Sequence, residues 1–333
     1  MCSAFFSARS RGRSASRACA DPLTSRRVAV LGLGLIGSSL GLALKHQSSP
    51  PTIVGFDPNR QASDSARSHH AIDRAAGSAS EAIRDADTVI LAAPVRGIIE
   101  LLSTIGSEVA EDVLVTDTGS TKLEIISHAA SVFSGRVGFI GGHPLAGRLR
   151  IGVAEPDARL FVGSVFCLCP TPDSPAWAVE RATDLVEAIG ARPQFLDPTE
   201  HDALLAGISH LPYFASAALM DAVGSQTGWP GMSALAAGGF RTATSLVDSS
   251  TEMWTDVALT NAGPLGRQLD ALITVLSALR QMVSEGDAKQ IKATLDRANV
   301  IHREWVRSRE GEQTAPPAQT NPQPSRRFPF LRG

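Results

Sequence analysis

Three glycines in one short run, Val28-Ala29-Val30-Leu31-Gly32-Leu33-Gly34-Leu35-Ile36-Gly37-Ser38-Ser39-Leu40, constrain this chain more than any other feature. An apolar stretch of strand character passes through them directly into an apolar stretch of helical character. Gly32 permits the tight turn, Gly34 lets the backbone approach a pyrophosphate, and Gly37 lets the helix pack close against the strand. The amides that open the helix, those of Leu35 and Ile36 included, then face the phosphates together with the positive end of the helix dipole. Twenty residues past Gly37, Ile53-Val54-Gly55-Phe56-Asp57 reads as a second strand ending in a carboxylate. Asp57 is placed to accept from a ribose 2′-OH and to repel a 2′-phosphate, which predicts NAD rather than NADP. Ala93 and Pro94, after the apolar run 88–92, complete the expected cofactor contacts.

From 28 to about 197, short apolar runs alternate with helical stretches, the pattern of a mostly parallel sheet covered on both faces. The runs are 28–31, 53–56, 88–92, 113–116, 137–140, 164–169 and 193–196. After Asp197-Pro198 the strand-like runs stop, and Ala- and Leu-rich helical stretches take over at roughly 199–225, 232–248, 251–285 and 287–310, with Gly286-Asp287 as a break. The predicted fold class is therefore α/β, a Rossmann-like dinucleotide-binding domain over 27–197 followed by an all-helical domain over 198–310. Residues 1–26 read as a basic leader without a fold of its own, and 311–333 as a disordered Pro-rich tail.

Charge is distributed unevenly around this core. Residues 1–27 carry six Arg against one Asp and residues 311–333 three Arg against one Glu, so a net charge of -2 leaves residues 28–310 near -9. So acidic a core argues against a nucleic-acid partner. The Ser-, Ala- and Arg-rich residues 1–25 have the composition of an organelle transit peptide or of a disordered extension. No secretory core and no run of about 18 apolar residues is evident, so a cytoplasmic chain without a membrane span is expected. The four cysteines fit neither a disulfide framework nor a metal site: Cys167 and Cys169 alternate within an apolar run and would share one buried strand face.

Four groups of residues could carry chemistry. Val115-Thr116-Asp117-Thr118-Gly119-Ser120-Thr121-Lys122 ends a predicted strand at the edge where open α/β sheets place ligands, so Ser120 and Lys122 either reach a substrate or cap the next helix. Gly141-Gly142-His143-Pro144 holds a histidine beside that edge with little backbone freedom, and an imidazole titrating near neutrality suits the removal of an alcohol proton as a hydride leaves. His201-Asp202 and Ser209-His210-Leu211-Pro212-Tyr213 open the helical region. Gly238-Gly239-Phe240-Arg241-Thr242-Ala243-Thr244-Ser245, followed by Glu252-Met253-Trp254-Thr255-Asp256 and Asn261, includes an arginine that either grips a carboxylate through its fork of donors or pairs with a local acid.

Taken in order, GLGLIGSSLG, TDTGSTK, GGHPLAG, EHDALLAGISHLP and GGFR-x10-EMW resemble the prephenate and arogenate dehydrogenases of tyrosine biosynthesis over about residues 27–306. The resemblance implies NAD(P)-dependent oxidative decarboxylation of a cyclohexadienyl ring, with His143 as general base and Ser120 beside the nicotinamide and the 4-hydroxyl. It implies the cofactor set Gly32, Gly34, Gly37 and Asp57, a substrate set that includes His210, Arg241 and Trp254, and a homodimer formed through the helical domain. Three positions depart from the family pattern. Tyr213 stands where many members have a second histidine, Ser245 where they have a second arginine, and Arg148-Leu149-Arg150 follows Gly147 where they continue differently. Losing a bidentate carboxylate contact costs on the order of a few kcal/mol of substrate binding, and Arg148 or Arg150 is expected to replace it. The less cationic pocket at Tyr213 and Ser245 tilts toward arogenate, while prephenate is the expected substrate by family frequency. Two other readings compete: a 6-phosphogluconate-type dehydrogenase, which needs a lysine base although no Lys occurs between 123 and 288, and a family member that binds NAD without turnover.

Overall fold

A computed structural model describes residues 26–146 and 155–314 of the chain. Arg148 and Arg150, the leader and most of the Pro-rich tail lie outside the described residues. The first stretch runs β1 (Arg27–Leu31), α1 (Leu35–Lys45), β2 (Thr52–Phe56), α2 (Arg60–Ser68), β3 (Arg74–Ala75), α3 (Ala79–Ile83), β4 (Thr88–Leu91), α4 (Val95–Ile105), β5 (Leu114–Asp117), α5 (Leu123–Phe133) and β6 (Gly138–Pro144). After the undescribed segment come β7 (Val165–Cys169), α6 (Ala176–Ala188) and β8 (Arg192–Phe195). The eight strands form one sheet in the order β3-β2-β1-β4-β5-β6-β7-β8, all neighbours parallel except β6 and β7. Two separate apolar clusters account for the burial of β1, β4 and β5, whose side chains alternate between them: Val28 and Val30 belong to one, Ala29 and Leu31 to the other.

The order reverses between β1 and β4, and the crevice at the carboxyl ends of those strands is where such sheets bind their ligands. Expected and observed strands coincide to within a residue or two, apart from β3, which is too short to carry an apolar pattern, and β6, which continues to Pro144 and so carries His143 within the sheet. Cys167 and Cys169 are buried on β7, and burial pushes their thiols up to about 11 and about 12.

Past β8, Asp197 caps α7 (Pro198–Leu205) by accepting from the Thr199 and Glu200 amides. A π-helical turn, Ala206–His210, leads into α8 (Leu211–Gly224). The joined helix Pro198–Gly224, of mean hydropathy 1.4, is long and apolar enough to cross a membrane by length and composition, contrary to the sequence expectation. Its apolar window is 28% buried, and its buried residues include His201, Asp202 and His210, which bond to groups of the sheet region or of a later helix. There follow α9 (Trp229–Leu235), α10 (Gly238–Thr244), α11 (Thr251–Thr260), α12 (Ala262–Glu285) and α13 (Ala288–Thr314). The expected helix 251–285 is divided at Asn261, 232–248 is divided at Ala236–Ala237, and α13 runs past the expected end at 310. Gly286, at φ +68, makes the predicted break. Compactness divides the chain at Leu269, so α7 to α11 belong with the sheet, and the second unit begins at Asp270.

Candidate active site

The glycine loop has the geometry its spacing requires. Gly32 adopts φ +100, and a Cβ there would lie 2.2 Å from the Ala92 carbonyl oxygen. A Cβ on Gly37 would lie 1.9 Å from the Gly32 oxygen, whereas one on Gly34 would meet nothing within 4 Å. Gly34 therefore faces open space at the start of α1, a helix with no side-chain cap and no acid in its first turn. A cleft of about 850 Å³ opens there, lined in part by Gly32, Gly34, Asp57, Ala93 and Pro94. Asp57 accepts from the Leu33 and Asn59 amides, each at 2.8 Å, which orients its carboxylate and leaves further lone pairs. An uncapped helix start, an open glycine and an oriented carboxylate fit a dinucleotide. Four acids, Asp57, Glu100, Glu252 and Asp256, line the cleft against one cation, Arg96.

The second half of the site is built on β5 and β6. Asp117, fully buried at the end of β5, accepts from the amides of Gly119 (2.8 Å) and Gly142 (3.0 Å). Lys122, also fully buried, pairs with Asp117 and donates to the Gly142 carbonyl at 2.7 Å. The ion pair thus grips the residue before His143 at both its N–H and its C=O. Gly142 cannot carry a side chain, since a Cβ would lie 2.3 Å from the Asp117 carbonyl oxygen. Lys122 is a buried clamp and does not reach a substrate, and no side chain of its own turn caps α5.

That cap comes from a distant residue. Asp202 on α7 accepts from the first amides of α5, Lys122 at 2.7 Å and Leu123 at 3.0 Å. It also meets His201 Nδ1 at 2.8 Å, and His201 Nε2 lies 2.9 Å from His143 Nδ1. His143 is 9% exposed, and among the described residues its Nε2 has no hydrogen-bond partner. Burial holds its imidazole well below the usual histidine range, and His201 and Lys122 act in the same direction. His210 is fully buried with Nδ1 3.1 Å from Asn261 Nδ2, and burial pushes it down to about 4. Ser120 is half-buried, and among the described residues its hydroxyl has no hydrogen-bond partner. Tyr213 stacks on Trp254 at 4.0 Å between ring centroids, and His210 meets Trp254 edge-on.

With this geometry in view, the relationships of the chain become decisive. The prephenate dehydrogenase nucleotide-binding domain matches residues 40–194, and the prephenate dehydrogenase dimerization domain matches residues 197–297. The prephenate dehydrogenase of Bacillus subtilis (strain 168) is 33% identical over 266 residues, covering 79% of this chain and 72% of the relative. The chain belongs to the prephenate dehydrogenase family. A second relative, the cyclohexadienyl dehydrogenase of Zymomonas mobilis, is 32% identical over 267 residues, which cover 79% of this chain and 90% of that one. The crystal structure of A. aeolicus prephenate dehydrogenase in complex with hydroxyphenyl propionate and NAD+ matches with a TM-score of 0.79 at 25% identity, over 85% of this chain and 99% of that one. The chain is thus an oxidoreductase of tyrosine biosynthesis acting on a cyclohexadienyl substrate.

For a prephenate dehydrogenase family member, the expected substrate groups are unequally placed. Arg241 is exposed on α10, and among the described residues no acid pairs with it. Ser245 donates its hydroxyl to the Thr242 carbonyl at 2.9 Å. The Trp254 indole N–H is taken by Ser249 at 3.0 Å. Asp256 and Asn261 belong to the fourth candidate group of the sequence, which gave them no role: Asp256 is a buried carboxylate that accepts from the Arg96 amide at 3.1 Å, and the Asn261 amide bridges the Asp202 carbonyl and His210. Their partners lie far away in sequence, so no local spacing pointed to these contacts. Among the described residues no cluster that could hold a metal ion occurs.

Proposed function

We propose that this family member catalyses the NAD-dependent oxidative decarboxylation of prephenate to 4-hydroxyphenylpyruvate, with His143 as general base. The observation that carries this reading is the free Nε2 of a clamped, nine-tenths-buried histidine on the strand edge that also receives the dinucleotide cleft. NAD, when bound, supplies the acceptor for the hydride leaving ring C4. His143 Nε2 takes the 4-hydroxyl proton as that C–H bond breaks, and the free Ser120 hydroxyl orients the same oxygen. Cleavage of the bond to the ring carboxylate releases CO2, and its electron pair restores the aromatic ring. His143 then returns its proton to the phenolate oxygen, so the cycle releases no net proton.

Arg241 holds a substrate carboxylate, with Arg148 or Arg150 in the role that Ser245 has lost. Tyr213 and Trp254 form one apolar wall against the ring or its side chain. The acids lining the cleft favour NAD over NADP, because a 2′-phosphate would meet Asp57. The dehydrogenation of arogenate to tyrosine is a second reading, favoured by the neutral Tyr213 and by a Ser245 hydroxyl already spent on its own helix. Initial rates with each pairing of prephenate or arogenate with NAD or NADP test the reading. The highest kcat/KM is expected for prephenate with NAD; reduced cofactor formed with neither ring substrate would overturn the reading.

A further inference from the structure

His201 and Asp202 line no cofactor contact and are closed to solvent, yet they continue the hydrogen bonding of the base inward. We propose that they form a positioning relay that sets the tautomer of His143, keeping the lone pair on Nε2, and shares the proton that His143 takes up.

The argument starts from Asp202. Two backbone amides at the start of α5 donate to it, one to each oxygen, so both oxygens are acceptors. A carboxylate only accepts, so His201 Nδ1, 2.8 Å from Oδ1, carries a hydrogen. In the neutral form that the relay requires, His201 has this single N–H, which makes its Nε2 an acceptor. It faces His143 Nδ1 at 2.9 Å, so His143 is the donor and Nε2 retains its lone pair. The rings meet at 65°, as an edge-to-edge hydrogen bond between two imidazoles allows. The other charged groups around His143 are Lys122, neutralised by Asp117, and His210, which burial keeps neutral. When Nε2 accepts a proton, the O–H bond of the substrate breaks and the N–H bond forms. The charge gained is then shared along Nδ1–H to His201 and on to Asp202, and it retraces this path when the proton returns.

The kinetic half of this proposal rests on His143 being the base of the proposed reaction, whereas the tautomer half does not. Long-range proton–nitrogen NMR of the full chain labelled with 15N-histidine, with His143 assigned through His143→Gln, reads the tautomer directly. The wild type is expected to show His143 protonated at Nδ1 and bare at Nε2. His201→Leu is expected to lose that preference and to lower kcat by about 10²- to 10⁴-fold with little change in KM. His201→Gln, whose side-chain oxygen can accept from Nδ1, should restore the tautomer while recovering only part of kcat, and it serves as the probe if the leucine variant does not fold. A wild-type His143 protonated at Nε2, or variants with an unchanged tautomer and unchanged kcat, would overturn the relay. A wild type that turns over neither ring substrate overturns the functional reading alone, since the tautomer still decides the relay.

Discussion

Among the described residues nothing bonds His143 Nε2, while burial, His201 and Lys122 all disfavour its protonation. For a base that must be neutral to act, the sign follows: above the lowered pKa the imidazole is ready, and as pH falls through that value solvent protons occupy Nε2 and the rate drops. The acid limb of kcat/KM is therefore expected below the ordinary histidine value of about 6.5. His143→Gln should remove that limb and reduce kcat by roughly 10²- to 10⁴-fold. A limb at or above 6.5 in the wild type would contradict the assignment. Arg241 supplies a complementary prediction. Its exposed guanidinium can make two parallel bonds to a carboxylate, so Arg241→Ala should raise the KM of the ring substrate by about 10- to 100-fold, with the KM for NAD unchanged. Arg148→Ala and Arg150→Ala, assayed separately, show which of the two shares that load; an unchanged KM for both removes the replacement expected from Ser245.

At the scale of elements, the helical region is tied to the sheet region by the same device used twice. Asp202 caps α5 from α7, and Asp256 caps α4 from α11, each accepting backbone amides at a helix start that lacks a side-chain cap of its own. A carboxylate there satisfies orphan donors and meets the positive helix end, an arrangement worth about 1 kcal/mol or more. Asp256→Ala should accordingly lower the unfolding free energy by about 1–2 kcal/mol in a denaturant titration, and a change under about 0.3 kcal/mol would show that the cap is not structural. These caps also mark where the sequence became hard to read. The glycine loop was legible because turn, helix dipole and strand all act within twenty-five residues, and the parallel sheet because its strands are continuous apolar runs. Asp202 and Asp256 serve helix starts 79 and 160 residues away in sequence, so no local spacing could announce them. Lys122 misled for the same reason: Asp117 is near in sequence, but the Gly142 carbonyl that completes its burial comes from another strand.

At the scale of the whole molecule, the unit that begins at Asp270 carries several exposed large apolar side chains. Ile273, Leu276, Val283, Leu295, Ile301 and Trp305 are each more than half exposed on α12 and α13. Contiguous apolar surface beyond a few hundred Å² is uncommon on a monomer, and large aromatic and branched side chains are the groups that dominate association when buried. The dimerization domain that matches residues 197–297 covers α12 and the first part of α13, and so includes Ile273, Leu276, Val283 and Leu295 but not Ile301 or Trp305. A chain of 35.0 kDa is therefore expected to sediment at about twice that mass at micromolar concentration. Trp305→Ala combined with Ile301→Asp places a charge and a void in that surface and should shift the species toward monomer, with the NAD affinity of the cleft unchanged because its lining lies wholly before residue 257. A wild type that sediments as a monomer, or a double variant that remains dimeric, would show that the exposed faces of α12 and α13 are not what two copies bury.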